Sequence, residues 1–158
     1  MSTPSPQRGG APVGYVSELD PIEAGAVLYL RLWCDGAQAQ KQIERDFSLA
    51  LGADAGASAY DALTQLVEMC LRHGRRPLVR HGLACKCLGA DECCFANVIG
   101  AACQGERDDA MLIASITLRP DAAPYVVGLA ETVGLALRKM AIAAKPAHAR
   151  HAQCQTLH

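Results

Sequence analysis

A chain of 158 residues with 51% hydrophobic and 20% charged side chains is the size of one domain and long enough to bury a core of its own. Its formal charge of −1 leaves no surplus of positive charge for non-specific nucleic-acid binding, so a nucleic-acid partner is not expected. Aromatic side chains are only 4% of the total, which leaves the core to small and medium aliphatic residues and favours closely packed helices.

The opening MSTPSPQRGGAPVGYVSELD has no apolar run behind a positive start, and so does not read as a secretory signal. Residues 1–19, rich in Pro, Gly and Ser, are expected to form a flexible N-terminal arm. Asp20 then reads as an N-cap, with Pro21 at the first helical position and Glu23 three residues after the cap. Ile22, Ala26, Leu30 and Trp33 recur at helical spacing until Asp35-Gly36 interrupts them. A second helix carries Ile43, Phe47 and Ala50 and stops at Gly52.

GADAGAS reads as a turn, with Ser58 and Asp61 marking the next start. On that third helix Tyr60, Leu63, Val67 and Cys70 share a stripe, which makes Cys70 a buried apolar residue, and Gly74 ends the helix. Beyond a cysteine-rich loop at 81–94, Asp91 is expected to cap a helix through Phe95, Val98, Ile99 and Ala102 to Gly105. Another helix spans Arg107 to Leu118, where Arg119-Pro120 breaks it. Asp121 is expected to cap the last helix, whose Val126, Leu129, Val133, Leu137 and Met140 form an apolar face. Gly128 and Gly134 on that helix permit close approach of a neighbour, which suggests a homodimer surface.

No repeat and no alternation of strand type is visible. The sequence therefore predicts an all-α, single-domain bundle of five or six helices over residues 20–144, with flexible tails at 1–19 and 145–158. The most apolar stretches, Ala24 to Trp33 and Ala122 to Leu137, are interrupted by Arg31 and Glu131 and fall short of the roughly 20 residues that a membrane span needs. No membrane partner is expected, and a cytoplasmic location follows. There thiols stay reduced, so the eight cysteines read as core thiols, metal ligands or redox groups before they read as disulfides.

HGLACKCLGADECCF, residues 81–95, places four cysteines and a histidine in fifteen residues. A tetrahedral metal needs about four ligands brought from two directions, and a loop followed by a helix start can provide them. Adjacent residues on a helix point about 100° apart, so Cys93 and Cys94 do not both qualify. The expected metal site is His81, Cys85, Cys87 and Cys94, with Cys93 as the substitute for Cys94. Three thiolates and an imidazole suit zinc, with an iron–sulfur cluster as the alternative. Cys103 lies too far along the helix to share that metal. Against the site stands a plainer account, in which these cysteines are small buried apolar residues of an alanine-rich protein.

Three other clusters have structural readings. RHGRRPLVRH, residues 72–81, could bind phosphate or an acidic partner, but basic residues at a helix end also complement its dipole; Arg80 is the one arginine singled out. GERDDAM, residues 105–111 with its carboxylates at Glu106, Asp108 and Asp109, reads as a solvated helix start. His148, His151, Cys154 and His158 sit in the tail. Cys34, beside Trp33, reads as a core or partly exposed thiol.

Together these features predict a small zinc-binding helical protein that works through protein contacts, as a homodimer or with another protein, and is a regulator or adaptor rather than an enzyme. The competing reading is a thiol-based redox sensor or a cysteine-dependent enzyme that uses Cys94 or Cys93 at a helix start with His81 as base.

Overall fold

The computed structural model describes residues 8–144. Six α-helices build an all-α bundle: α1 Pro21–Cys34, α2 Ala37–Leu51, α3 Ala53–His73, α4 Ala90–Gln104, α5 Arg107–Thr117 and α6 Ala123–Ala143. Among the described residues no helix is long and apolar enough to cross a membrane.

Local chemistry accounts for most of the boundaries. The Asp20 carboxylate accepts from the N–H groups of Ile22 and Glu23 at 2.9 and 2.8 Å, the capping arrangement that satisfies otherwise orphaned donors. Elsewhere the boundaries differ from those read from sequence. α3 begins at Ala53, not near Ser58, because Gly52 at φ +90° ends α2 and starts α3 in one residue, which leaves GADAGAS almost wholly helical. α4 is capped through Glu92, which accepts the Gly89 N–H at 2.9 Å, while Asp91 sits inside the first turn. Asp121 does not cap α6; its carboxylate faces Arg119 at 3.3 Å, and Ala122 takes the cap position.

α4 runs through the centre, with α1, α5 and α6 packed around it. Leu30, Ile43, Phe47, Leu63, Leu66, Ile99, Val126, Val127 and Val133 are almost completely shielded. The ring of Tyr29 meets Phe47 edge to face at 5.0 Å, a favoured aromatic geometry. Cys103 is buried in this core, as its spacing implied, whereas Cys70 is half-buried.

The apolar face of α6 points inward. Val126, Val133 and Leu137 are buried within the chain, and a Cβ on Gly134 would come within 2.7 Å of the Cys103 Cβ and 2.9 Å of the Ile99 carbonyl. Gly134 thus allows α6 to approach α4 of the same chain, and this face is not available as the dimer surface that its amphipathicity suggested. A Cβ on Gly128 would meet nothing within 4 Å.

Extended pairing lay outside the helical pattern: besides an isolated antiparallel bridge between Gly74 and Leu118, two short strands pair. Strand β1, Pro12–Tyr15, runs antiparallel to β2, Cys87–Gly89, with Gly14 opposite Leu88 and Tyr15 opposite Cys87. Short 3-10 turns at Arg8–Gly10 and Val16–Glu18 flank β1. The Val16 N–H donates to the Lys86 carbonyl and the Ala90 N–H to the Ala11 carbonyl, both at 3.0 Å. From residue 8 onward, then, the segment read as an arm is hydrogen-bonded onto the cysteine-rich loop. Three- and four-residue strands are too short to display a period of two, so their sequence carries no strand signal. The tail residues His148, His151, Cys154 and His158 lie outside the described residues.

Candidate functional site: an ion-paired loop and a Cys–His pair

The cysteine-rich loop is held by charge. Arg31 on α1 grips Glu92 on α4 through Nε to Oε1 at 2.7 Å and Nη2 to Oε2 at 2.8 Å. The two side chains are 3% and 0% exposed. The remaining donors of Arg31 reach back into the loop: Nη1 to the Cys85 carbonyl at 2.7 Å and Nη2 to the Cys87 carbonyl at 2.8 Å. Glu92 meanwhile accepts the N–H groups of His81 and Gly89, each at 2.9 Å. Burial pushes the Glu92 carboxyl up, but the Arg31 guanidinium and those two N–H groups more than offset it, and its pKa lies below the ordinary value. Arg31 is raised by its bond to Glu92, against burial, with the Cys85 and Cys87 thiols adding to the rise. Dense hydrogen bonding of this kind is what makes a buried ion pair tolerable.

A second pair fixes the segment before the loop. Asp91 receives Arg76 as a fork at 2.7 and 3.1 Å and the Val79 N–H at 2.8 Å. A Cβ on Gly9 would collide with both members of that fork, so only glycine lets the N-terminal turn pass so close. Arg80 donates to the Cys34 carbonyl at 3.0 Å. Arg75 uses its Nε on the carbonyls of Ser115 and Leu118 at 3.1 and 3.0 Å. Three of the four arginines in residues 72–81 are therefore engaged with internal acceptors, including Arg80.

Of the five residues expected to hold a metal, the structure brings two together. His81 Nδ1 lies 3.5 Å from Cys85 Sγ, and its Nε2 lies 2.9 Å from the Gly10 carbonyl. A carbonyl can only accept, so Nε2 carries the hydrogen and, in the neutral ring, Nδ1 presents its lone pair to the thiol. Cys87, Cys93 and Cys94 do not join them. Among the described residues no three His, Cys, Asp or Glu side chains converge closely enough to hold a metal ion. Cys93 instead receives the Asn97 side-chain amide at 3.5 Å. Cys94 lines an apolar cavity. Burial pushes its thiol up, with Cys93 and Asp91 adding to the effect and Arg76 opposing it, so the activation anticipated from its place at a helix start does not prevail.

Cys85 opens onto a surface cleft of about 500 Å³ that also includes Tyr15, Val27, Leu28, Leu83 and Lys86. Tyr15, Leu28 and Leu83 are 56%, 46% and 40% exposed, which gives the cleft an apolar rim. Elsewhere burial suppresses thiol ionisation: Cys70 is pushed up to about 12, and Cys34 and Cys103 are raised. No known protein family, curated protein or solved structure matches the chain.

Arg31, Glu92 and Gly10 were not singled out in the sequence. Arg31 did carry a signal, as a lone charge on an otherwise apolar helical stretch, and Glu92 stands three residues after Gly89 at capping-box spacing. Gly10 takes part only through its carbonyl, which no side-chain pattern reveals.

Proposed function

We propose that the protein is a thiol-dependent regulator in which Cys85 is the working group, His81 its base, and the apolar-rimmed cleft the surface offered to a partner. The 3.5 Å contact between Cys85 Sγ and His81 Nδ1, with the ring held by Gly10, carries this reading. A nucleophile beside a base that is itself oriented by a third group is the general arrangement for activating a thiol. His81 takes the proton from sulfur, and Cys85 attacks a peroxide oxygen or a disulfide sulfur of the partner. The O–O or S–S bond breaks, and the departing hydroxide or thiolate takes the proton from His81. The products are a sulfenic acid and water, or a mixed disulfide and a free thiol. The reading places the protein in a reducing compartment such as the cytoplasm, where such a thiol is kept reduced between reactions.

The same spacing favours a second reading. Zinc bonds of about 2.3 Å to sulfur and about 2.0–2.1 Å to nitrogen, at a tetrahedral angle, put the two donors about 3.5 Å apart. His81 and Cys85 would then hold two corners, and two further ligands would have to come from a second copy or another protein. Mapping the alkylation rate of each cysteine by mass spectrometry, with elemental analysis of the same untagged sample, separates the two. Fast alkylation of metal-free Cys85, slowed by His81→Phe, supports the thiol reading. Stoichiometric zinc that shields Cys85 replaces it with the metal reading, and a brown chromophore points to an iron–sulfur cluster.

A further inference from the structure

A second cavity, of about 180 Å³, lies among α3, α4, α5 and α6 and shares no lining residue with the Cys85 cleft. Its walls are apolar, formed by Leu66, Leu78, Phe95, Val98, Ile116 and Val126, with the thiols of Cys70 and Cys94. Native interiors keep few voids larger than a water molecule, and this one exceeds the roughly 150 Å³ apolar cavity known to take up benzene. Three charged residues also line it: Arg75, Arg76 and Asp91.

Those three charges are not equivalent. Arg76 and Asp91 neutralise each other in their fork, and Asp91 is further occupied by the Val79 N–H. Arg75 is held by its backbone N–H to the Thr117 carbonyl at 3.0 Å and by its Nε to Ser115 and Leu118. Neither of its terminal Nη groups donates to another group among the described residues. The result is one solvent-exposed guanidinium, anchored through Nε and with both Nη groups unengaged, that lines an apolar cavity. Arginine in this state suits a carboxylate, because its planar fork matches the two oxygens.

We infer that this cavity binds a small monocarboxylate with an aliphatic or aromatic body, the body among the apolar side chains and the carboxylate on Arg75. Burial pushes the thiols of Cys70 and Cys94 up, so these two groups carry no charge near pH 7 and do not repel the anion. The site stands independently of Cys85.

Titration calorimetry of the full chain with octanoate and with octan-1-ol tests it. Octanoate is expected to bind more tightly than the alcohol by about tenfold or more, the worth of a charge-assisted hydrogen bond. Arg75→Gln should bring octanoate down to the affinity of the alcohol, whereas Cys94→Met, which fills the cavity, should weaken both. Absence of octanoate binding to the folded wild-type chain, equal affinity for acid and alcohol, or octanoate binding unchanged by Arg75→Gln would each overturn the inference. The comparison of acid with alcohol needs no variant, so a misfolded variant does not protect it.

Discussion

Arg31 Nε and Glu92 Oε1 lie 2.7 Å apart across 61 residues of sequence, shielded from solvent. Through this pair α1 and α4 hold the carbonyls of Cys85 and Cys87 and the N–H groups of His81 and Gly89. The ion pair therefore holds the cysteine-rich loop through its backbone and not through its sulfur atoms.

Removing one member strands the other as a buried charge. Arg31→Met or Glu92→Leu alone should destabilise the fold by about 3–5 kcal/mol, and the double variant should cost less than the sum of the two. Urea unfolding followed by far-ultraviolet circular dichroism measures this. Additive losses would show that the two residues act separately.

The same carboxylate predicts an acid limb. The Glu92 pKa is lowered from 4.5 in the folded protein, so its contribution is fully present above that ordinary value and is lost as pH falls through the folded pKa. The urea midpoint should fall steeply below about pH 4.5, and Glu92→Gln, already weakened at neutral pH, should show a flatter profile.

An alkaline limb should have the opposite slope. Burial pushes Cys70 from 9.0 up to about 12, and burial together with Asp46 pushes Tyr29 from 10.0 up to about 12. The unfolded chain releases these protons first, so stability falls as pH rises from about 9 towards 12. Cys70→Ala should flatten the earlier part of the decline, to which the raised thiols of Cys34, Cys94 and Cys103 also contribute, as read from thermal midpoints between these limits.

His81→Phe removes the base and its bond to Gly10 while keeping a ring of similar size. Iodoacetamide should then modify Cys85 about tenfold more slowly at pH 7, with Cys34 and Cys103 unaffected. An unchanged Cys85 rate in a folded variant would mean that His81 does not activate it.

Gly9→Ala places a methyl group where the Asp91–Arg76 fork lies. A loss of about 1–3 kcal/mol is expected, with faster amide exchange along β1. Exchange as slow as in the wild type would show that the N-terminal turn adjusts freely.

Much of the architecture was legible because helices write their faces into local sequence. The Asp20-Pro21 start of α1, the span of α5 and the burial of Leu63, Val67, Val126 and Val133 all follow from residues a few positions apart. The start of α3 was missed because one glycine at positive φ joins two helices without a separate turn, a choice of backbone conformation that residue types around it do not announce. Cys85 and His81, four residues apart, were within reach of the same local reasoning. What lay beyond it was the convergence of distant segments: Gly10 onto His81, Arg31 onto Glu92, β1 onto β2, and Cys94 turned towards a cavity. These contacts depend on how helices cross and where a loop is folded back, and such distances arise from packing the whole chain rather than from the spacing of residues along it.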